Sequence, residues 1–147
     1  MKPTTITPIK IALIEDNEGD ILLTKELFKE GKLAHYLFTI KDGQTAIKYL
    51  EKQGEFLHAE TPDLILLDIN LPRINGLEVL AYIRNSEKLK NITVCILSSS
   101  ASPSDVNTAK KLEASYFQKP LDVIDFIKMI TQKDFIWVNL VKIAPLN

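Results

Sequence analysis

Asp68 directly follows an unbroken apolar run, residues 64–67, and is followed by Pro72 and Gly76. An apolar run without polar alternation is typical of a strand that is covered on both faces, as in parallel sheets. The pattern therefore predicts Asp68 at the carboxyl end of a buried strand, the edge at which open α/β sheets bind ligands. An isolated aspartate there usually caps or turns a loop, so a functional Asp68 needs partners at the same edge.

Polar side chains also follow three other strand-like runs: Glu15 and Asp16 after residues 9–14, Ser98 after residues 92–97, and Lys119 after residues 115–117. Right-handed crossovers place the carboxyl ends of parallel strands at one edge of the sheet. Carboxylates crowded there repel one another unless a cation offsets them, and their hard oxygens suit Mg²⁺. A lysine and a hydroxyl opposite them can donate to phosphate oxygens. This set predicts phosphoryl transfer.

Five strand-like runs alternate with five helical patterns, which predicts a doubly wound, five-stranded parallel sheet with five helices on its two faces, a flavodoxin-like α/β architecture. The first predicted helix begins at a capping Asp20 and ends at Gly31, and the second runs from about Gln44 to Lys52. The third helix follows Gly76, the fourth begins at Pro103, and the fifth begins near Asp122.

The composition limits the possible functions. A chain of 147 residues fits one domain, 1–147, with a core at about 9–133. The net charge of −1 and scattered basic residues argue against binding nucleic acid or an anionic membrane. No apolar run approaches the roughly 20 residues of a membrane span, and residues 1–8 lack the centre of a signal peptide. With Cys95 inside an apolar run, these features predict a cytoplasmic protein.

Five pieces occur in order, each at a predicted strand end: Glu15-Asp16, Asp68 in Leu-Asp-Ile-Asn-Leu-Pro, Gly76, Ser98 and Lys119-Pro120. This arrangement resembles the receiver domain of two-component response regulators, the CheY-like superfamily. The resemblance extends over residues 10–133, nearly the whole chain. Each piece alone is weak, whereas five in the right order are specific.

The resemblance implies a role for each acidic residue. Asp68 is the expected phosphoacceptor, whose carboxylate attacks the phosphorus of a phosphohistidine and forms an acyl phosphate. Asp16, Asp68 and the backbone carbonyl of Asn70 are the expected Mg²⁺ ligands. Glu15, where aspartate is more frequent in the family, is expected to act mainly through a metal-bound water.

The remaining site residues are expected to bind the phosphate and report it. Lys119 would pair with the phosphate or, before transfer, with Asp68, unless it is a solvated lysine. Ser98 would donate to a phosphate oxygen, unless it only shapes a turn. Tyr116 occupies the position of the switch aromatic residue and would move inward with Ser98, unless it is a plain half-buried tyrosine. Such displacements bias a two-state surface.

Residues 134–147 are too few for a DNA-binding or catalytic output domain, which predicts a stand-alone receiver. Their apolar side chains predict a helical extension packed on the core, or alternatively a dimer or partner surface. The connection at 54–62, the Asn-Gly-Leu-Glu-Val-Leu helix start and the Phe-Ile-Trp-Val tail are similar to receivers served by phytochrome-type histidine kinases. The expected partner is such a sensor kinase or a phosphotransfer protein, and a homodimer is a further expectation.

Three other classes share parts of this pattern. An aspartate-nucleophile phosphatase also uses Mg²⁺, but its second acid usually lies two residues after the nucleophile, where this chain has Asn70. A flavodoxin-like cofactor carrier would need a phosphate-binding loop after the first strand. A pseudo-receiver would be expected to lack Asp68, an acid of the pair, or Lys119. The residues favour a signalling protein over an enzyme with external turnover.

Overall fold

The computed structural model describes residues 8–31, 35–100 and 102–131. Within these residues, five parallel strands form one sheet in the order β2-β1-β3-β4-β5. The strands are β1 (Ile9–Ile14), β2 (His35–Ile40), β3 (Leu64–Asp68), β4 (Thr93–Ser98) and β5 (Ser115–Gln118). The predicted parallel sheet is therefore confirmed.

In the described part of the chain, five α-helices connect or follow the strands: α1 (Glu18–Glu30), α2 (Gly43–Leu50), α3 (Gly76–Arg84), α4 (Pro103–Lys111) and α5 (Val123–Thr131). One 3-10 turn, Gly54–Phe56, lies in the connection before β3. The prediction that Asp20 caps α1 was wrong, because the cap is Asn17, three residues earlier, whose side chain accepts the Asp20 backbone N–H at 2.9 Å. Gly31 ends α1 as predicted.

Strand β3 is buried along its whole length because helices cover both faces of the sheet. Its alternate residues enter two different cores. Ile65 and Leu67 pack with residues of α2, α3 and α4. Leu64 and Leu66 pack with residues of α1 and α5, where the Phe28 and Phe126 rings stack at 5.1 Å. The helices thus lie three on one face and two on the other, as the doubly wound prediction requires.

No helix of the described ranges is both long and apolar enough to span a bilayer. Cys95 is fully buried in the core that includes α1 and α5, as its apolar neighbours predict. The expected extension at 134–147 lies outside the described residues, so its helical character and its contacts remain predictions.

Candidate phosphoryl-transfer site

The carboxyl ends of β1 and β3 bring Glu15, Asp16 and Asp68 together. Ile14 pairs in register with Leu67, so the next residues in the sequence, Glu15 and Asp68, emerge side by side. Each of the three acids offers a carboxylate oxygen within 4.8 Å of the others. Glu15 and Asp68 are buried, with 1% and 3% of their surface exposed, whereas Asp16 is exposed. The site therefore has two buried acids and one open to solvent.

Lys119 brings a positive charge into this acidic cluster. Its Nζ lies 2.7 Å from Glu15 Oε1, 2.8 Å from Asp20 Oδ2 and 3.3 Å from Asp68 Oδ2. Burial alone would lower the pKa of Lys119, but hydrogen bonds to Asp20 and Glu15 and the charge of Asp68 outweigh burial and raise that pKa. The ammonium therefore stays charged and offsets the acids around it.

The pKa of Glu15 is also raised, but for a carboxyl group this shift disfavours the charged form. Burial, with a further contribution from a hydrogen bond to Asp68, raises the pKa of Glu15 to about 7, and Lys119 opposes that rise. The second oxygen of Glu15 accepts the backbone N–H of Asn17 at 3.2 Å. Glu15 is thus tied to the turn that starts α1 as well as to Lys119.

The turn after β3 fixes the Asp68 side chain. Its Oδ1 accepts the backbone N–H of Asn70 at 3.1 Å, while Oδ2 faces Lys119. Gly76 lies against this turn so closely that a Cβ there would be 2.2 Å from the Asp68 carbonyl oxygen. Close packing against the backbone of Asp68 therefore requires a glycine at position 76.

Ser98 and Tyr116 both contact Ser100. The Ser98 Oγ is buried and accepts the Ser100 backbone N–H at 3.2 Å. The half-buried Tyr116 donates its hydroxyl to the Ser100 carbonyl at 2.8 Å. The backbone N–H of Lys119 donates to the Ser98 carbonyl at 2.7 Å. The end of β4 is thus connected to the site lysine and to the predicted switch tyrosine.

The structure places all the predicted site residues at this edge and adds Asp20, whose contact with Lys119 the sequence analysis missed. Asp20 lies in the first turn of α1, four residues after Asp16. A helix that begins at the carboxyl edge of the sheet has its first turn near that edge. The position of Asp20 in the first turn of α1 was therefore the sequence signal that could have placed it in the site.

The donor set fits a hard divalent cation. Carboxylate oxygens are the ligands that Mg²⁺, Mn²⁺ and Ca²⁺ prefer, and the three acids are close enough to share one ion. Asp16 is exposed, so an ion can enter from solvent with part of its hydration shell. Asn70 follows Asp68 by two residues, which places its backbone on the same turn.

Comparison with known proteins identifies the family. The family model described as the response regulator receiver domain matches residues 11–131. The chain belongs to the response regulator receiver family. This receiver is 36% identical over 135 residues to the response regulator Rcp1 of Synechocystis sp., an alignment that covers 91% of this chain and 92% of Rcp1. The predicted resemblance is confirmed.

Solved structures give the same result. The phosphorylated cyanobacterial phytochrome response regulator RcpA is 36% identical to this receiver, with a TM-score of 0.74 over 90% of this chain and 95% of RcpA. The Mn²⁺-bound form of Rcp1 has a TM-score of 0.73 at 36% identity and covers 89% of this chain and 95% of that one. The receiver is therefore a two-component response regulator with the predicted fold.

Proposed function

We propose that this receiver accepts a phosphoryl group on Asp68 from the phosphohistidine of a sensor histidine kinase or a phosphotransfer protein, in a Mg²⁺-dependent reaction. The observation that carries the proposal is the cluster of Glu15, Asp16 and Asp68 within 4.8 Å. The Lys119 ammonium lies beside Asp68 and adds a positive charge to this cluster. The set combines a nucleophile, a divalent-cation site and a fixed positive charge.

In the proposed reaction, a carboxylate oxygen of Asp68 attacks the phosphorus in line. An oxygen–phosphorus bond forms, the phosphorus–nitrogen bond of the phosphohistidine breaks, and the imidazole leaves with that electron pair. Asp16, Asp68 and the Asn70 carbonyl would hold Mg²⁺, with Glu15 acting mainly through a metal-bound water, and the ion would neutralise charge on the phosphoryl oxygens. Lys119 donates to one phosphoryl oxygen and Ser98 to another. The self-catalysed transfer and later hydrolysis are this receiver's chemistry.

The contacts at Ser100 support the switching part of the proposal. Ser98 accepts the Ser100 N–H, and Tyr116 donates to the carbonyl of the same residue, so movement of the Ser98 hydroxyl toward a phosphoryl oxygen would act on the Ser100 backbone. A change at Ser98 is therefore passed to Tyr116 through one backbone unit. The altered surface then binds a partner or a second copy of the chain.

The proposed kinase is of the phytochrome type. RcpA is a phytochrome response regulator, and RtBRR, a bacteriophytochrome response regulator, is 36% identical to this receiver with a TM-score of 0.79. We place the reaction in the cytoplasm, with no nucleic acid or membrane partner.

The test is the intact mass of the protein after incubation with acetyl phosphate and Mg²⁺, with and without EDTA. Wild type should gain one phosphoryl group only when Mg²⁺ is present. Asp68→Asn should gain none. Asp63→Asn is the matched control, because Asp63 precedes the other end of β3 and accepts the Lys10 N–H at 2.8 Å. It should be labelled like wild type.

Labelling of Asp68→Asn would show that another residue is the acceptor. If wild type gains no phosphoryl group from acetyl phosphate or a purified kinase and binds no Mg²⁺, the pseudo-receiver alternative is correct. Sustained release of phosphate from a phosphomonoester would instead support the aspartate-nucleophile phosphatase.

A further inference from the structure

Asp20 contacts the site lysine although it is outside the three-acid group that could hold a cation. Its Oδ2 accepts from Lys119 Nζ at 2.8 Å, which is shorter than the 3.3 Å from the same nitrogen to Asp68. The two residues are 99 positions apart in the sequence. The contact therefore joins the start of α1 to the end of β5 across the site.

The backbone of Asp20 is held on both sides. Its N–H donates to the Asn17 side chain at 2.9 Å, and its carbonyl accepts the Thr24 hydroxyl at 2.9 Å. The carboxylate thus projects from a fixed helical turn, with 38% of its side chain exposed. Glu15 is tied to the same turn through Asn17. This geometry gives Lys119 a rigid anchor on the α1 side.

The Lys119 ammonium lies within 3.3 Å of oxygens from three carboxylates: Glu15, Asp20 and Asp68. Of these, Asp68 is the proposed acceptor, and Glu15 belongs to the proposed cation site. Asp20 is the remaining anchor, and it interacts with Lys119 without taking part in either. It can therefore hold the ammonium in place throughout the reaction.

Building on the proposed function, we propose that Asp20 is a positioning residue for phosphoryl transfer, which holds Lys119 so that one of its N–H bonds points to the phosphoryl group on Asp68. Loss of the Asp20 charge leaves the ammonium with one anchor besides Asp68. Lys119 then spends less time in the productive position, which slows the transfer without changing how the donor binds.

The test compares Asp20→Asn with Glu18→Gln. Both remove one negative charge from the first turn of α1, but Glu18 pairs with Lys41 at the surface. Rates are measured over a range of acetyl phosphate concentrations with saturating Mg²⁺. The maximal rate of Asp20→Asn should fall about fivefold with an unchanged half-saturating concentration, and Glu18→Gln should match wild type. Asp20→Glu should recover part of the rate.

A double-mutant cycle separates positioning from a general effect of charge. In a Lys119→Ala background, Asp20→Asn should cause no further loss, because the residue it positions is absent. An equal loss in both backgrounds, an equal loss in Glu18→Gln, or an unchanged or faster rate in Asp20→Asn would overturn the proposal. Thermal unfolding of each variant checks that it is folded.

Side-chain NMR relaxation tests the anchor independently of phosphorylation. The order parameter at the Lys119 Cε should fall in Asp20→Asn and stay unchanged in Glu18→Gln. If wild type is not phosphorylated but the order parameters still differ, the proposed function is wrong although Asp20 does hold Lys119. The role of Asp20 in phosphoryl transfer is then wrong as well. If wild type and all variants are phosphorylated equally and the order parameters agree, only the Asp20 proposal fails.

Discussion

Helices α3 and α4 have nine residues each, lie on the same face of the sheet, and follow the two strands that carry Asp68 and Ser98, yet they are held very differently. Four residues of α3 are buried: Gly76, Val79, Leu80 and Ile83. Of the nine residues of α4, all of them described, only Ala109 is buried. The helix that follows Asp68 is anchored in the core, and the helix that follows Ser98 is not.

The amino-terminal cap of α3 is also stronger than that of α4. Asn75 and Glu78 form a reciprocal capping box at the start of α3, with both hydrogen bonds at 3.0 Å. Ser102 caps α4 through one hydrogen bond of 3.5 Å. Little apolar burial and a long cap bond give the start of α4 low local stability. In the proposed function, Asp68 must stay fixed for in-line attack, whereas the surface near Ser98 must shift at low cost.

The carboxyl end of α4 is held more firmly than its start. Arg84, the last residue of α3, donates to the carbonyls of Leu112 at 2.7 Å and Glu113 at 3.1 Å, directly after α4. It also donates to the Ile92 carbonyl at 2.7 Å. The difference between the helices is therefore concentrated at the amino end of α4, next to Ser100.

The largest effect should come from the core of α3. Ile83→Ala removes a fully buried side chain, and the resulting cavity should lower the free energy of unfolding by about 2–5 kcal/mol. Val106→Ala on α4 removes a half-buried side chain and should cost less than half as much. Urea denaturation measures both. Equal losses would show that α4 is anchored as firmly as α3.

Gly76→Ala should lower the free energy of unfolding by about 3 kcal/mol, because the new Cβ would be 2.2 Å from the Asp68 carbonyl oxygen, a backbone atom. Gly54→Ala is the control: no atom lies within 4 Å of its Cβ position, so only the positive φ of 56° carries a cost, about 1 kcal/mol. Similar values for both variants would mean that the start of α3 does not pack tightly against the turn after Asp68.

Arg84→Lys should release the carboxyl end of α4. Lysine cannot reproduce the forked guanidinium contacts, so the carbonyls of Leu112 and Ile92 lose a donor, at a cost of about 1–2 kcal/mol. Hydrogen exchange should accelerate in the last turn of α4 and change little in α3. Unchanged exchange in α4 would show that other contacts fix this end.

The smallest effects should come from the caps. Asn75→Ala should cost about 1 kcal/mol, because it removes the cap of α3 and leaves the N–H of Glu78 without its acceptor. Ser102→Ala should cost about 0.5 kcal/mol or less, since the bond it removes is 3.5 Å long. Thermal unfolding measures the difference. A larger loss at Ser102 would reverse the comparison.

The site edge could be predicted because each of its members is defined by local sequence. Strand-like runs are followed by Glu15, Asp68, Ser98 or Lys119, and in a parallel sheet the carboxyl ends of all strands lie at one edge. The alternation of strands and helices determined the architecture in the same way. The first cap was assigned to Asp20 instead of Asn17, because both are good capping residues and sequence alone does not place the first helical turn.

The sequence by itself thus determined the sheet, the five helices, and the set of chemical groups at one edge. Only the tertiary structure decided which groups touch: Lys119 with Asp20 across 99 positions, and Tyr116 with Ser100. The tertiary structure also decided that α4 buries only one of its nine residues against the core. Periodicity specifies which face of an element is apolar, whereas contact distances depend on register and packing between elements that are distant in the sequence.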